Sequence, residues 1–192
     1  MRKRGFTLIE LMIVVAVIAI VAAIAVPNLL RARMSANEAG AIASCKAYAA
    51  AQEIYRRTDW DKDAVMEYAR QTVGPASLAE TNWGRWDICL IDKELANAFT
   101  APVASSRMKD GYVFQIQPGQ GPAASGGARS YIRGGNMTLG YGISAVPISY
   151  DSTGRNAFQL NHTGVLRQKD RGAVFIWHEN LFNPNSTWAV VE

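Results

Sequence analysis

The sequence contains few of the residues on which most enzymatic and metal sites depend. It has two cysteines, Cys45 and Cys89, and two histidines, His162 and His178, among 192 residues. This set does not form a four-ligand structural zinc site, because the spacing is wrong. The sequence also lacks the HExxH, P-loop and nucleophile-elbow patterns. We therefore expect a protein that is not an enzyme.

The sequence also lacks a large excess of either positive or negative charge. The 20 basic residues nearly balance the 16 acidic ones, which gives a formal net charge of +4. Three of the positive charges are Arg2, Lys3 and Arg4, and without them the net charge is about +1, too small for nucleic-acid binding by bulk electrostatics. We expect no nucleic-acid partner. The 49% hydrophobic content excludes a disordered chain and a disulfide-dense miniprotein.

The longest apolar run lies near the N-terminus. Residues 11–26 are all apolar, and Glu10 is the one charge between Phe6 and Leu30. As a helix the 16 apolar residues cover ~24 Å, slightly less than a ~30 Å hydrocarbon core, and the addition of residues 6–9 brings the segment to the length of a membrane span. A secretory signal peptide would have the same pattern, but Pro27 and larger residues follow the run where a cleavage site needs small ones. A carboxylate at membrane depth is costly unless it is paired, which marks Glu10 as a functional residue.

The sequence RKRGFTLIELMIVV at positions 2–15 resembles the N-terminus of type IV pilins and related pseudopilins. The resemblance implies that a prepilin peptidase cuts between Gly5 and Phe6 and methylates the new amino terminus of Phe6. It also implies an assembly role for Glu10 and for Pro27, the proline near the end of the apolar segment. The Phe6 ammonium of one subunit would pair with the Glu10 carboxylate of a neighbour, which is a good device for fixing register.

The same resemblance implies an α+β fold in which a long N-terminal α-helix, its first half transmembrane, packs on an antiparallel β-sheet head. We divide the chain into a leader, a transmembrane or filament-core helix, the amphipathic second half of that helix, a connecting region with short helices and a β-rich head. These are residues 1–5, 6–27, 28–57, 58–110 and 111–192. In the second half of the helix, Gln52 interrupts a helical stripe formed by Ala41, Cys45, Tyr48 and Tyr55.

Acidic residues alternate just after this helix. Asp59, Asp61 and Asp63 occupy alternate positions, and Glu67 follows four residues later. This spacing is similar to the start of a calcium-binding loop, although the glycine and the terminal glutamate of such a loop are missing. The other interpretation is that solvated acids cap a helix that continues through Tyr68. Calcium is the one cofactor for which the sequence contains a candidate site.

The two cysteines leave two states open. In an exported chain Cys45 and Cys89 can form a disulfide, which would stabilise the fold by ~4 kcal/mol on the loop-entropy account. Two free, buried thiols are the alternative. After Cys89 and before the head, a short helix is predicted over Asp92–Phe99, with Asp92 as its cap.

The C-terminal part of the sequence indicates strands. Alternating side chains predict a strand over Tyr112–Gln117, and further strand regions are predicted at Asn136–Val146, Ala157–Leu160, Val165–Lys169, Val174–Trp177 and Ala189–Val191. Parts of this region are similar to the globular domain of certain bacterial pilin-like proteins. Three N-x-Ser/Thr patterns match the glycosylation acceptor, although three matches easily arise by chance. They begin at Asn136, Asn161 and Asn185.

The resemblance implies a structural subunit of a type IV pilus-like extracellular filament. It leaves two alternatives: a pseudopilin of a type II secretion system, and a minor pilin that acts as an adhesin or DNA-uptake factor. The implied partners are further copies of the chain in a helical filament, a prepilin peptidase and the pilus or secretion assembly machinery. The implied location is the inner membrane for the precursor, and then the cell surface, or the periplasm for a pseudopilin.

Overall fold

The computed structural model describes residues 6–58, 64–73, 77–79, 89–99, 108–172 and 180–191 of the chain. Its longest element is helix α1, Leu8–Arg56, whose 49 residues make it ~74 Å long at ~1.5 Å per residue. Helix α1 continues without a break through Pro27, although proline removes one backbone donor and can unwind a helix. The two halves predicted from the sequence are therefore one continuous helix.

The remaining elements form the head. A five-stranded antiparallel sheet has the strand order β3-β6-β7-β8-β9, and two smaller two-stranded sheets pair β1 with β2 and β4 with β5. In chain order the elements are β1 Gln71–Val73, β2 Ser77–Ala79, α2 Lys93–Ala98, β3 Tyr112–Gln117, β4 Gly119–Gln120, β5 Arg129–Ser130, β6 Gly142–Pro147, β7 Asn156–Asn161, β8 Arg167–Asp170 and β9 Ala189–Val190. This arrangement confirms the predicted α+β fold of a long helix on an antiparallel sheet.

The core lies between α1 and one face of the five-stranded sheet. The register places Phe114 of β3 opposite Ala145 of β6, and Ala145 opposite Phe158 of β7. All three are buried and belong to the same hydrophobic cluster as Cys45 and Tyr48 of α1. Because side chains alternate along a strand, one face of the sheet supplies this cluster. The head thus buries its own core against the second half of α1.

Several predicted elements are confirmed. Strand β3 has the predicted bounds, and the Asp92 side chain caps α2 by accepting a hydrogen bond from the backbone N–H of Leu95 at 2.8 Å. The predicted strand over Asn136–Val146 is shorter than expected, because regular pairing begins only at Gly142. The predicted strand over Val174–Trp177 lies outside the described residues.

The prediction of a helix through Tyr68 is wrong. Residues 64–70 are not helical, and Ala64 has a φ of 64°, which lies in the left-handed region and interrupts a right-handed helix. The backbone N–H of Tyr68 donates to the carbonyl oxygen of Met137 at 2.9 Å. The chain therefore pairs with a distant loop of the head instead of continuing the helix.

Candidate functional site

The first half of α1 is an apolar surface that the rest of the described chain does not cover. Phe6, Leu8 and Ile9 are 78%, 76% and 65% exposed, and none of the most apolar 18-residue stretch is buried. Burial on the helix begins at Met34. Exposed apolar area of this extent is unfavourable in water. This half of α1 is long and apolar enough to cross a membrane.

The one carboxylate of this half closes a capping box at the start of the helix. The Thr7 hydroxyl donates to Glu10 Oε2 at 2.6 Å, and the Thr7 backbone N–H donates to the same oxygen at 2.9 Å. In return the backbone N–H of Glu10 donates to Thr7 Oγ1 at 3.3 Å. This arrangement satisfies backbone donors that the first turn otherwise leaves unpaired. Thr7 is a residue that the functional interpretation of the sequence missed, although Thr-x-x-Glu is a readable capping signal.

Polar contacts attach the second half of α1 to the head at the end nearer the apolar half. Glu38 Oε1 accepts hydrogen bonds from the backbone N–H groups of Arg155 at 2.9 Å and Asn156 at 3.1 Å, and its Oε2 accepts from Asn156 Nδ2 at 3.0 Å. Asn37 Nδ2 donates to the carbonyl oxygen of Thr153 at 2.8 Å. A Cβ added to Gly40 would lie 2.5 Å from a carboxylate oxygen of Asp110, so a side chain at this position would have to displace the Asp110 carboxylate.

These contacts have no local signal in the sequence. The partners of Asn37 and Glu38 lie more than 110 residues further along the chain. The contacts fix the base of the head on the helix, close to the last apolar residues. The exposed half of α1 and the half held by the head belong to one continuous helix.

The predicted processing and calcium residues are only partly described. Phe6 is exposed, whereas Gly5, Asp59, Asp61 and Asp63 lie outside the described residues. The carboxylate of Glu67 accepts a hydrogen bond from the backbone N–H of Met137 at 3.2 Å. Among the described residues no three metal-ligating side chains come together. The calcium site stays a prediction.

Cys45 and Cys89 are free thiols in the structure, and their pairing in a disulfide stays a prediction. Cys45 is fully buried in the core, and burial raises the pKa of its thiol to about 12. Cys89 differs from the expectation of a buried thiol because it is exposed. Its Sγ donates to the carbonyl oxygen of Ile91 at 3.5 Å.

Comparisons with known proteins agree with this geometry. Residues 1–26 match the prokaryotic N-terminal methylation motif. Over 106 residues, which are 55% of this chain and 46% of the relative, the chain is 38% identical to the type IV major pilin protein PilA of Myxococcus xanthus. Over 53 residues, 28% of this chain and 40% of the relative, it is 51% identical to the type IV wide pilus major component PilA4 of Thermus thermophilus.

The uncovered apolar helix, its capped start, the methylation motif and the similarity to these relatives support a place in the type IV pilin family. Residues 21–191 also match the family described as Protein of unknown function (DUF2950), and the chain belongs to that family. The chain spans less than half the length of the two curated relatives. Because pilins are structural subunits, the comparisons confirm the expectation that this protein is not an enzyme.

Proposed function

We propose that the chain is a structural subunit of a type IV pilus-like extracellular filament. The observation that carries this proposal is the uncovered apolar half of α1, which is continuous with a half that the head buries. Apolar surface of this kind needs a lipid environment before assembly and other apolar helices after it. A bundle of copies supplies such helices once the subunit leaves the membrane.

Processing prepares the subunit for this transfer. Cleavage between Gly5 and Phe6 by a prepilin peptidase removes three cations and frees an ammonium group at Phe6. That ammonium can then pair with the Glu10 carboxylate of a neighbouring copy, which sets the axial register of the helices. Pro27 lies inside α1 and lacks a backbone donor, which makes its surroundings the easiest part of the helix to unwind in a filament.

The assembly is tested in a strain in which this gene is the sole source of the chain. Filaments sheared from the surface are imaged by electron microscopy, and their subunits are identified by mass spectrometry. We expect filaments in which this chain is the main subunit, with its N-terminus at Phe6. Mature chain that stays in the periplasm, together with loss of protein secretion on deletion, would replace this proposal with the secretion pseudopilin. Filaments of another main subunit would make the chain a minor pilin.

A further inference from the structure

The three glycosylation acceptor patterns of the chain occupy different structural environments. Asn136 is half-buried, Asn161 is 3% exposed, and Asn185 is exposed. An N-linked acceptor needs an asparagine whose Nδ2 atom is accessible, followed two residues later by a hydroxyl side chain. The structure therefore distinguishes three patterns that the sequence alone cannot separate.

Asn185 has the geometry of an acceptor. Its Oδ1 atom accepts a hydrogen bond from the Thr187 hydroxyl at 2.6 Å and a second from the Thr187 backbone N–H at 3.1 Å. Its Nδ2 atom makes no hydrogen bond within the described part of the chain. Both hydrogen bonds draw electron density towards Oδ1, which makes the Nδ2 protons more acidic. The turn thus holds the amide by its oxygen and presents its nitrogen to solvent.

The neighbouring residues hold this turn on the head. The backbone N–H of Trp188 donates to the carbonyl oxygen of Asn185 at 3.1 Å, and the Trp188 side chain is only 6% exposed. On the other side, Phe182 is 4% exposed, and its backbone pairs with Gly119 and Gly121. Two buried aromatic side chains therefore flank an exposed turn whose geometry is set before any enzyme binds it.

The other two patterns lack one or more of these features. Asn161 has a similar contact, with the Thr163 hydroxyl 2.6 Å from its Oδ1, but its Nδ2 donates to Tyr131 Oη at 3.4 Å and its side chain is buried. Around Asn136 the contact with Thr138 joins backbone atoms, at 3.1 Å, and the side chain is half-buried. Neither asparagine presents a free amide nitrogen at the surface.

We propose that Asn185 is the acceptor of an N-linked glycan, added after the head has crossed the membrane. The donor class is an oligosaccharide carried on a polyisoprenyl diphosphate, and the catalyst is a membrane-bound oligosaccharyltransferase. The Nδ2 lone pair attacks the anomeric carbon of the first sugar. The bond between that carbon and the diphosphate oxygen breaks, the polyisoprenyl diphosphate leaves with the electron pair, and the Nδ2 proton passes to a base of the transferase.

The three patterns lie on three separate tryptic peptides, which makes the proposal testable in one digest. Cleavage after Arg133, Arg155, Arg167 and Arg171 places Asn136 on residues 134–155, Asn161 on residues 156–167 and Asn185 on residues 172–192. The full chain is purified from membranes of its own host and analysed by mass spectrometry. We expect peptide 172–192 to carry a glycan mass on Asn185, and the other two peptides to be unmodified. Recovery of peptide 172–192 at its unmodified mass alone would overturn the proposal.

Two pairs of variants separate modification from folding. Asn185→Gln and Thr187→Ala should abolish the added mass, whereas Thr187→Ser and Ser186→Ala should retain it because the asparagine and the hydroxyl both remain. The three substituted positions are all exposed, so the melting curves of the four variants should match that of the parent chain. Retention of the glycan in Thr187→Ala would contradict the assigned role of the hydroxyl. The membrane fraction provides the peptide whether or not filaments form, so this readout is independent of the proposed assembly.

Discussion

The side-chain amide of Gln52 pairs with both backbone groups of Ala69. Gln52 Oε1 accepts a hydrogen bond from the Ala69 N–H at 2.8 Å, and Gln52 Nε2 donates to the Ala69 carbonyl oxygen at 2.8 Å. Both residues are buried, with exposures of 0% and 1%. The Gln52 amide thus makes the two backbone hydrogen bonds that a neighbouring strand would otherwise make with Ala69. It joins the second half of α1 to the segment that leads into β1.

Replacing Gln52 by Leu should therefore destabilise the head although it adds an apolar residue to a buried position. The substitution leaves the N–H and the carbonyl of Ala69 buried without partners, at ~1–3 kcal/mol for each group. Thermal melting of the full chain in detergent, followed by circular dichroism, should show a clearly lower midpoint. Gln71→Leu is the matched control, because Gln71 lies two residues beyond Ala69 and is exposed. This variant should melt like the parent chain. Equal midpoints for both variants would show that the amide pairing does not stabilise the head.

The elements that were predicted correctly from the sequence are those whose formation depends on residues close together in the chain. Strand β3 was readable from its alternation, and α2 from the cap at Asp92, because each signal and its structural effect lie within a few residues. The stripe along α1 was readable for the same reason, but Gln52 looked like a defect in it. Its partner Ala69 lies 17 residues away in an irregular segment, and no spacing rule connects the two.

The errors have the same physical origin. The helix predicted through Tyr68 fails because Met137, 69 positions further on, supplies a backbone partner for the Tyr68 N–H. Glu38 likewise depends on a distant segment, because it accepts three hydrogen bonds from Arg155 and Asn156. In both cases a contact between distant segments overrides the local pattern, and a single sequence carries no record of such a contact.

The two thiols should differ sharply in reactivity. Cys89 is exposed, whereas Cys45 is fully buried, and burial raises the pKa of its thiol to about 12 and so disfavours the reactive thiolate. Treatment of the folded chain with iodoacetamide at pH 8 should label Cys89 and leave Cys45 unmodified. After denaturation both should react. Failure of both to react in denaturant, unless a reductant is added, would show that the chain forms the disulfide instead.

Processing should produce a mature chain that begins with N-methylated Phe6. The basic leader ends in glycine immediately before the apolar segment, and residues 1–26 match the methylation motif. Intact-mass analysis of the chain extracted from membranes should show the loss of five residues and the gain of one methyl group. A Gly5→Val variant should keep its leader, because a branched side chain replaces the small residue at the cleavage site. An N-terminus beyond Pro27 would instead indicate an ordinary signal peptide.

Calcium binding by Asp59, Asp61, Asp63 and Glu67 can be decided by titration of the full chain in detergent. If the acids form a site, calorimetry should detect calcium binding at millimolar concentration, and the triple variant with Asn at the three aspartates should lose it. Glu67 already accepts a hydrogen bond from Met137, so a site would have to share or replace this contact. No heat of binding in the parent chain would leave the three aspartates as solvated acids.

Glu10 should control assembly rather than processing. In the single chain its carboxylate closes the capping box with Thr7, and in a filament we expect it to pair with the Phe6 ammonium of a neighbouring copy. Glu10→Leu removes both interactions. Leaving one member of a buried ion pair without its partner costs ~3–5 kcal/mol, and at ~1.4 kcal/mol per tenfold this lowers incorporation ~100-fold or more.

The two roles of Glu10 can be separated with Thr7→Val as a matched variant. Valine has nearly the same shape as threonine but no hydroxyl, so it weakens the cap, by ~0.5–2 kcal/mol, and leaves the carboxylate free to pair between copies. In strains that express each variant as the sole copy, Glu10→Leu should give mature chain in the membrane and few or no surface filaments, whereas Thr7→Val should still give filaments. A wild-type copy in the same cell would mask the defect, so it must be absent. Filaments of Glu10→Leu at normal abundance would show that the pair does not govern assembly, and equal loss in both variants would assign the effect to the helix cap.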